Sequence, residues 1–533
     1  MTGPAAAAGP APGTVTVVGL GKIGLPLAVQ MAGKGARVRG ADVDPAVVRL
    51  VSGGRPPLRG EPGLASRLGE VVRSGLLTAT TDTTAAVADS EVVVVVVPLV
   101  TDAAGQPDYG AVDAATASIA AGLRTGSLVS YETTLPVHST RRRLGPALAA
   151  GSGLRPGLDF ALCHSPERVS SGTIFADLRR YPKLVGGIDA RSGERAARFY
   201  QAVLDFDERQ DLPRPNGVWD LGSAEAAEFT KLAETTYRDV NIALANEFAR
   251  SAAAAGIDMY QVIAAANSQP YSHLHRPGIS VGGHCIPVYP RLYLAGDPAA
   301  RLPAAAREIN DAAPGQAVQM LAELTGGVAG LRVAVLGAAY RAGVKETAFS
   351  GVFAVVRELA RRGAAALVHD PLYHDDELRR LRLPPYRLGE ACDAVIVHTD
   401  HPEYRALVPG DLPGVRALVD GRAITDPEGW GAIPRRVIGA AAPAGPARRA
   451  GRLANGGRPS GPRQPAGLGR VAREVELAGQ RGPAQDAGEL AGLRTLARPL
   501  GLDGREHRAD AGQQPGQRRR RLAAGSEQSL AGD

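Results

Sequence analysis

The chain has 533 residues, 44% hydrophobic and 22% charged, with a formal net charge of +7, long enough for about three domains that each bury a core. Its six consecutive valines, Val92 to Val97, fall far short of the roughly 20 apolar residues of a membrane span. Only three cysteines, Cys163, Cys285 and Cys392, occur, which excludes a disulfide scaffold and favours a reducing, cytoplasmic setting.

The excess charge has a location. From residue 441 onward the chain carries sixteen Arg, no Lys and nine acidic residues, so the preceding 45 basic and 45 acidic residues cancel. No nucleic-acid-binding face is expected on the folded body. The same stretch, 441–533, has no Phe, Tyr, Trp, Ile, Met or Cys and is expected to be a disordered tail. Its abrupt onset and lack of Lys would also suit out-of-frame translation of a GC-rich gene. The Ala/Gly/Pro-rich segment before Gly13 has neither a basic leader nor an apolar core, so no signal peptide is expected. None of the Cys and His residues has zinc-ligand spacing, and no metal site is expected.

In chain order, Thr14 to Val18 reads as a strand, Gly19-Leu20-Gly21-Lys22-Ile23-Gly24 as a turn, and Leu25 to Ala32 as a helix. Arg37 to Ala41 is a second strand ending at Asp42, and later strands fit Glu91 to Val97, Ser127 to Tyr131 and Asp159 to Cys163. Alanine-rich helical periodicity follows, with a long helix over Ala224 to Ala254. Such helices often make dimer contacts as well as packing domains together. A second α/β unit opens with a strand at Arg332 to Leu336. It continues through a helix at Gly351 to Arg362 and strands at Ala365 to Val368, Ala394 to His398 and Ala417 to Val419.

The glycine turn is informative through its context. It follows a strand, opens a helix, and has Asp42 at the end of the next strand, which is the pattern of a dinucleotide site. Gly19 allows the tight turn, Gly21 lets the backbone approach a pyrophosphate, and Gly24 permits close helix packing. Asp42 can accept from a ribose 2′-hydroxyl and would repel a 2′-phosphate, which favours NAD over NADP. Far downstream, Gly282-Gly283-His284-Cys285 places a thiol in a glycine-rich segment. It is either a buried inert cysteine or a nucleophile that carries an aldehyde to an acid through a thioester. Lys231 lies in the long helix, where a solvated lysine is the default. Glu167 follows a strand end, where a functional carboxylate competes with a capping or ion-paired one.

Taken together these segments resemble the UDP-glucose/GDP-mannose dehydrogenase family, from about Thr14 to Gly439. The motifs "VVGLGKIGLPLA", "GADVD", "EPGL", "YETTLPV", "SPERV", "KLAETTYRDVNIALANE", "RPGISVGGHCIPV", "AYRAGVKE" and "VDGR" arrive in family order. "PERV" with the later "VGG" is most like the UDP-N-acetylhexosamine branch. The resemblance implies an α/β fold of two Rossmann-like doubly wound domains joined by a helical dimerisation segment. An NAD-binding domain would span 14–215, a central helical segment 216–328 and a UDP-sugar-binding domain 329–440, in a homodimer. It implies NAD at Gly19, Gly21, Lys22, Ile23, Gly24 and Asp42. Cys285 would be the nucleophile, Lys231 the oxyanion stabiliser, Thr134 the holder of water or substrate hydroxyl, and Glu167 the acid–base group, with Thr235 beside them. Arg341, Lys345, Arg422, Asn241, Gly282 and Gly283 would hold a UDP-sugar.

Three positions depart from the family pattern: Thr235 stands where Asn is usual, Tyr289 where Asp is common, and His138 where Gly is normal. Thr235 can still donate a hydrogen bond, but Tyr289 cannot replace a carboxylate near neutral pH. Either the water-activating network is rearranged, with Glu167 carrying more of it, or thioester hydrolysis is impaired; retention of the thiol and lysine favours the first. The implied reaction is a four-electron oxidation of a C6 alcohol to a uronate for a polysaccharide or glycoconjugate. UDP-glucose oxidation, or a non-catalytic sugar-nucleotide-binding homologue, is the alternative.

Overall fold

The computed structural model describes residues 13–57, 60–102 and 104–441; the expected disordered tail lies outside the described residues from 442 on. An eight-stranded sheet is built from β1 (Thr14–Val18), β2 (Arg37–Ala41), β3 (Leu77–Thr80), β4 (Val92–Val95), β5 (Leu128–Tyr131), β6 (Ala161–His164), β7 (Lys183–Gly187) and β8 (Val218–Asp220). Its spatial order is β8-β7-β6-β5-β4-β1-β2-β3. Neighbours are parallel except β6 and β7, which run antiparallel with Cys163 opposite Gly187. The strand expected over Glu91 to Val97 is confined to Val92–Val95, all buried. Val92 and Val94 enter the core on one face of the sheet, Val93 and Val95 the core on the other, as the two-residue period of a strand requires. The first sheet reaches Asp220, past the expected domain end at 215.

The second sheet comprises β9 (Arg332–Leu336), β10 (Ala365–His369), β11 (Ala394–Val397), β12 (Leu418–Asp420) and β13 (Arg435–Val437), in the order β10-β9-β11-β12-β13. All its pairings are parallel. Strand order reverses between β1 and β4 in the first sheet and between β9 and β11 in the second. In open parallel sheets those are the crevices where ligands bind, beyond the strands' carboxyl ends.

Helix α1 (Gly24–Gly33) follows the glycine turn, and α2 (Ala224–Ala254), α3 (Tyr289–Gly296) and α4 (Arg301–Thr325) lie between the sheets in sequence. Helix α2 starts at Ser223, whose side chain accepts from Ala226 N, and is succeeded by Gly256 at φ 70°, a left-handed stop that suits glycine. Helix α4 contains Pro314; it was not anticipated, because an internal proline usually marks a helix end. Helices α2 and α4 are tied by a buried polar cluster. Arg307 Nε donates to Asp239 at 2.8 Å, Asn310 Nδ2 to Asp239 at 2.8 Å, and Asn246 Nδ2 to Asn310 at 3.0 Å. Asn246 Oδ1 accepts from Gly278 N at 2.9 Å, which carries the rigidity of the helix pair into the segment leading to Cys285.

Candidate active site

The glycine turn sits at the β1–β4 reversal. Gly19 has φ 94°, and a Cβ on Gly24 would lie 1.9 Å from Gly19 O, so α1 packs on the turn as only glycine allows. Around Gly21, by contrast, an added Cβ would meet nothing within 4 Å: the backbone is open for a ligand to approach. Ile23 is the N-cap of α1, whose first N–H groups face the same opening. Asp42 accepts from Leu20 N at 2.8 Å and Asp44 N at 2.9 Å, so it also braces the turn. These features fit a dinucleotide. Lys22 is already engaged: its ammonium pairs with Glu346, from the loop after β9, and burial pushes its pKa down. A cavity of about 90 Å³ lies here, lined by Gly21, Lys22, Glu61, Gly172 and the 343–346 loop. Glu61 accepts from Gly172 N and Ile174 N, both at 2.8 Å, fastening the loop beyond "SPERV".

Cys285 occupies a seam. The residues before it are anchored on the carboxyl edge of the second sheet. Ile279 belongs to that sheet's core, Ser280 Oγ meets His398 Nε2 at 3.2 Å, and Gly283 N donates to Ala348 O at 3.0 Å. A Cβ on Gly282 would lie 2.5 Å from Tyr340 Cβ, and Gly283 has φ 85°. Both expected substrate-binding glycines are therefore required first for packing against Tyr340. The residues after Cys285 dock on the first sheet, with Val288 and Leu292 in its core. The thiol is half-buried and free, whereas Cys163 and Cys392 are buried.

Three further elements converge on it. Lys231 on α2 is only 7% exposed, not the solvated lysine that is the default. It makes no ion pair among the described residues, and its ammonium lies 5.9 Å from the centroid of the Tyr289 ring. Tyr289 N donates to Cys285 O at 2.9 Å, and Thr134, on the loop after β5, is buried. Burial and the adjacent thiol hold the phenol's pKa well above its ordinary range. Thr235 is buried but spends its donor on its own helix, at 2.9 Å from Lys231 O and 3.1 Å from Leu232 O. The expectation that it could donate into the site as Asn would is corrected accordingly: only its lone pairs are left.

The loop after Thr134 is held from α2. Glu228 accepts from His138 N at 2.7 Å and Thr140 N at 2.8 Å. His138 has φ 74°, which explains why glycine suits that position. Burial pushes Glu228 up to about 7. Beneath this loop lies a network that sequence reasoning missed. Lys183 Nζ stands 2.7 Å from Glu132 and 2.8 Å from Glu167, and Tyr200 OH donates to Glu132 at 2.6 Å. Glu167 also accepts from Arg168 N at 2.7 Å and Val169 N at 3.2 Å. Glu167 is thus ion-paired and held by the backbone. Although burial pushes the other way, Lys183 and the backbone donors hold it below the usual range. Burial instead drives Glu132 up to about 7. The signal available was Glu132 within "YETTLPV", at the exit of a buried strand.

The candidate sugar-nucleotide residues are spread around the seam. Arg341 donates to Ser171 O at 3.2 Å, and Lys345 pairs with Glu377 at 2.6 Å. Arg422 approaches Asp400 at 3.3 Å, and its guanidinium lies 3.1 Å from where a Cβ on Gly278 would stand. Asn241 Oδ1 accepts from His275 N at 3.4 Å, supporting the approach to the glycine loop from α2. A separate cleft of about 600 Å³ flanks the loop between Ser280, Arg291, Phe349 and Arg357. Among the described residues no group of three His, Cys, Asp or Glu is placed to hold a metal ion, and no helix is long and apolar enough to cross a membrane.

The sequence matches three domains of the UDP-glucose/GDP-mannose dehydrogenase family: the NAD binding domain over 13–204, the central domain over 225–312 and the UDP binding domain over 334–428. It is 33% identical over 423 residues to the UDP-N-acetyl-D-mannosamine dehydrogenase of Pyrococcus horikoshii, covering 77% of this chain and 95% of that protein. The solved structure of a UDP-D-ManNAc dehydrogenase from P. horikoshii superposes with a TM-score of 0.71, over 80% of this chain and 99% of that one, at 31% identity. A UDP-glucose dehydrogenase from Pyrobaculum islandicum superposes with a TM-score of 0.70 at 27% identity, over 80% and 98% of the two chains.

Proposed function

Because the chain belongs to the UDP-glucose/GDP-mannose dehydrogenase family of NAD-dependent oxidoreductases, we propose that it oxidises the C6 alcohol of UDP-N-acetylmannosamine, or a close UDP-hexose, to the uronate. The observation that carries this reading is the seam: a half-buried thiol whose backbone is bonded to Tyr289, with a buried ammonium, in no ion pair among the described residues, 5.9 Å from the Tyr289 ring. The substrate preference is supported by the relatives named UDP-N-acetyl-D-mannosamine dehydrogenase.

Gly19, Gly21, Lys22, Ile23, Gly24 and Asp42 would hold NAD, and two NAD bound in succession would each take one hydride, the first from the alcohol and the second from the thiohemiacetal. Cys285 Sγ forms the bond to the C6 aldehyde carbon, and the Lys231 ammonium faces the oxyanion in a site where water is scarce. Thr134 orients the water that cleaves the thioester. Glu167 takes that water's proton, and Lys183 joins it to Glu132, a second carboxylate on which the proton can rest. Arg341, Lys345 and Arg422 meet the diphosphate and sugar, in the case of Lys345 by exchanging Glu377 for phosphate.

The working unit is a homodimer through α2, whose Phe229, Tyr237, Leu244 and Phe248 remain exposed along one helical stripe. The domain limits expected at 14–215, 216–328 and 329–440 remain our assignment, as does a cytoplasmic location, which three free cysteines support. The test is a panel of UDP-N-acetylmannosamine, UDP-N-acetylglucosamine and UDP-glucose, read by NADH formation and mass spectrometry of the acid. A uronate from UDP-N-acetylmannosamine is expected, and binding of NAD and sugar nucleotide without NADH from any of the three would refute the enzymatic reading.

A further inference from the structure

Strand β7 begins at Lys183 and runs antiparallel to β6, with His164 opposite Gly186. Its first residue therefore lies at the carboxyl edge of β6, where the chain leaves the sheet toward Glu167. The first residue of a parallel strand would lie at the far edge instead. Ser165 Oγ donates to Leu184 O at 2.8 Å and Arg168 Nη1 to Pro182 O at 3.3 Å, so the loop is stitched to β7 on both sides of Glu167. It is also held from α2, where Arg168 pairs with Glu234, on the turn after Lys231.

The Lys183 ammonium donates to Glu132 at 2.7 Å and to Glu167 at 2.8 Å, and lies 4.8 Å from the centroid of the Tyr200 ring. Tyr200 OH donates to the other Glu132 oxygen at 2.6 Å and meets Ser130 Oγ at 2.8 Å, so Glu132 and Tyr200 fix the ammonium. Glu167 accepts from Arg168 N, Val169 N and Lys183, which fills three of the about four acceptor sites of a carboxylate. One is left for a water. Side-chain exposures of 10% for Glu167, 4% for Lys183 and 0% for Glu132 make Glu167 the member that water reaches.

We propose that Lys183 is a positioning residue for thioester cleavage: its buried ammonium, fixed by Glu132 and Tyr200, holds the Glu167 carboxylate in place to take the proton of the attacking water. In that step the water oxygen bonds to the thioester carbon and the C–S bond breaks with its electron pair on Sγ. One water proton goes to Glu167, and the other leaves the new acid for solvent. This role rests on Glu167 being the base, as proposed for the activity. Two carboxylates share one ammonium away from water, and one bound proton relieves the excess charge. Burial places it on Glu132, pushed up to about 7; against burial, Lys183 and the backbone donors keep Glu167 charged. Lys183 shares the sheet face of Val185 and Tyr200, opposite Leu232 of α2. Burial holds the other titratable groups around it neutral: the Tyr200 phenol, the Cys163 thiol, pushed up to about 12, and the His164 imidazole, pushed down to about 3.

The test follows single turnovers of UDP-N-acetylmannosamine with NAD by the full chain across pH, quenched and read by mass spectrometry for the uronate and for the acyl group on Cys285. Lys183→Met is expected to form NADH but to retain the acyl group on Cys285. The acid limb of its uronate release should rise by at least about one pH unit, making release about tenfold slower below the limb. Glu132→Gln leaves the ammonium to Glu167 alone and is expected to move that limb down. A purely structural role would lower NADH formation and uronate release together and move neither limb. Coincident limbs in the parent and Glu132→Gln, an upward shift in Glu132→Gln, or release by Lys183→Met that keeps pace with the parent would each overturn the proposal. If Lys183→Met does not fold, Glu132→Gln decides alone. No NADH from the parent with any sugar would refute the proposed activity and this role together, whereas NADH with unmoved limbs would refute the role only.

Discussion

Lys183→Met removes the one cation between two buried carboxylates while keeping the side chain's length. Lys183 and Glu132 have side-chain exposures of 4% and 0%, and the ammonium contacts Glu132 at 2.7 Å and Glu167 at 2.8 Å. Breaking a buried pair by removing one partner costs about 3–5 kcal/mol, and that range is expected at pH 8. The deficit must also depend on pH. Without the ammonium both carboxyl pKa values rise in the folded state. A carboxyl raised on folding contributes stability below its unfolded pKa and loses it as pH climbs through the folded value. Glu132 starts at about 7 even with Lys183 present, so the deficit should shrink by about 1–3 kcal/mol at pH 5.5, each unit of displacement being about 1.4 kcal/mol. The chain has two tryptophans. Trp219 sits on β8 opposite Leu184, beside Lys183, and Trp430 is buried in the second sheet's core. In a Trp430→Phe background, urea unfolding followed by fluorescence reports the first sheet alone. An equal deficit at both pH values, or one under about 1 kcal/mol, would refute the reasoning.

Three further outcomes are expected. His138→Gly relieves a left-handed backbone at φ 74° and should stabilise the first sheet by about 1 kcal/mol, read by the same fluorescence; a loss of stability would count against the strain. Glu228, pushed up to about 7 by burial, contributes stability below its unfolded pKa that disappears as pH rises through 7. Glu228→Gln should therefore flatten the stability slope between pH 5 and 8, and an unchanged slope would contradict this. Gly282→Ala sets a Cβ 2.5 Å from Tyr340 Cβ and should cost about 1–3 kcal/mol by overpacking, measured by thermal unfolding without any ligand; a neutral result would return Gly282 to a purely substrate-facing role.

Local chemistry was legible where it was decided locally. Strands β1 and β2 and the helix over Ala224–Ala254 follow from valine runs, the glycine turn and alanine periodicity. The dinucleotide crevice follows because Gly19 and Gly24 can do their work only as glycines. The Glu132–Lys183–Tyr200 network was hidden because its partners lie 51 and 68 residues apart and meet only through sheet order. The antiparallel step at β7 was hidden for the same reason. Gly282 and Gly283 were noticed for a reason the fold does not give first priority: Tyr340 comes from a strand exit far along the chain. Thr235 looked like a substitute donor, and only the helix geometry shows its proton already committed. Tyr289 looked like a missing carboxylate, and only the seam shows its ring 5.9 Å from the Lys231 ammonium.

The central claim is covalent oxidation through Cys285, and NADH stoichiometry tests it most directly. With limiting UDP-N-acetylmannosamine and excess NAD, the parent should form two NADH per sugar and release the uronate, whereas Cys285→Ser should release none at a comparable rate. Full two-NADH turnover by Cys285→Ser at the parent's rate would contradict the account.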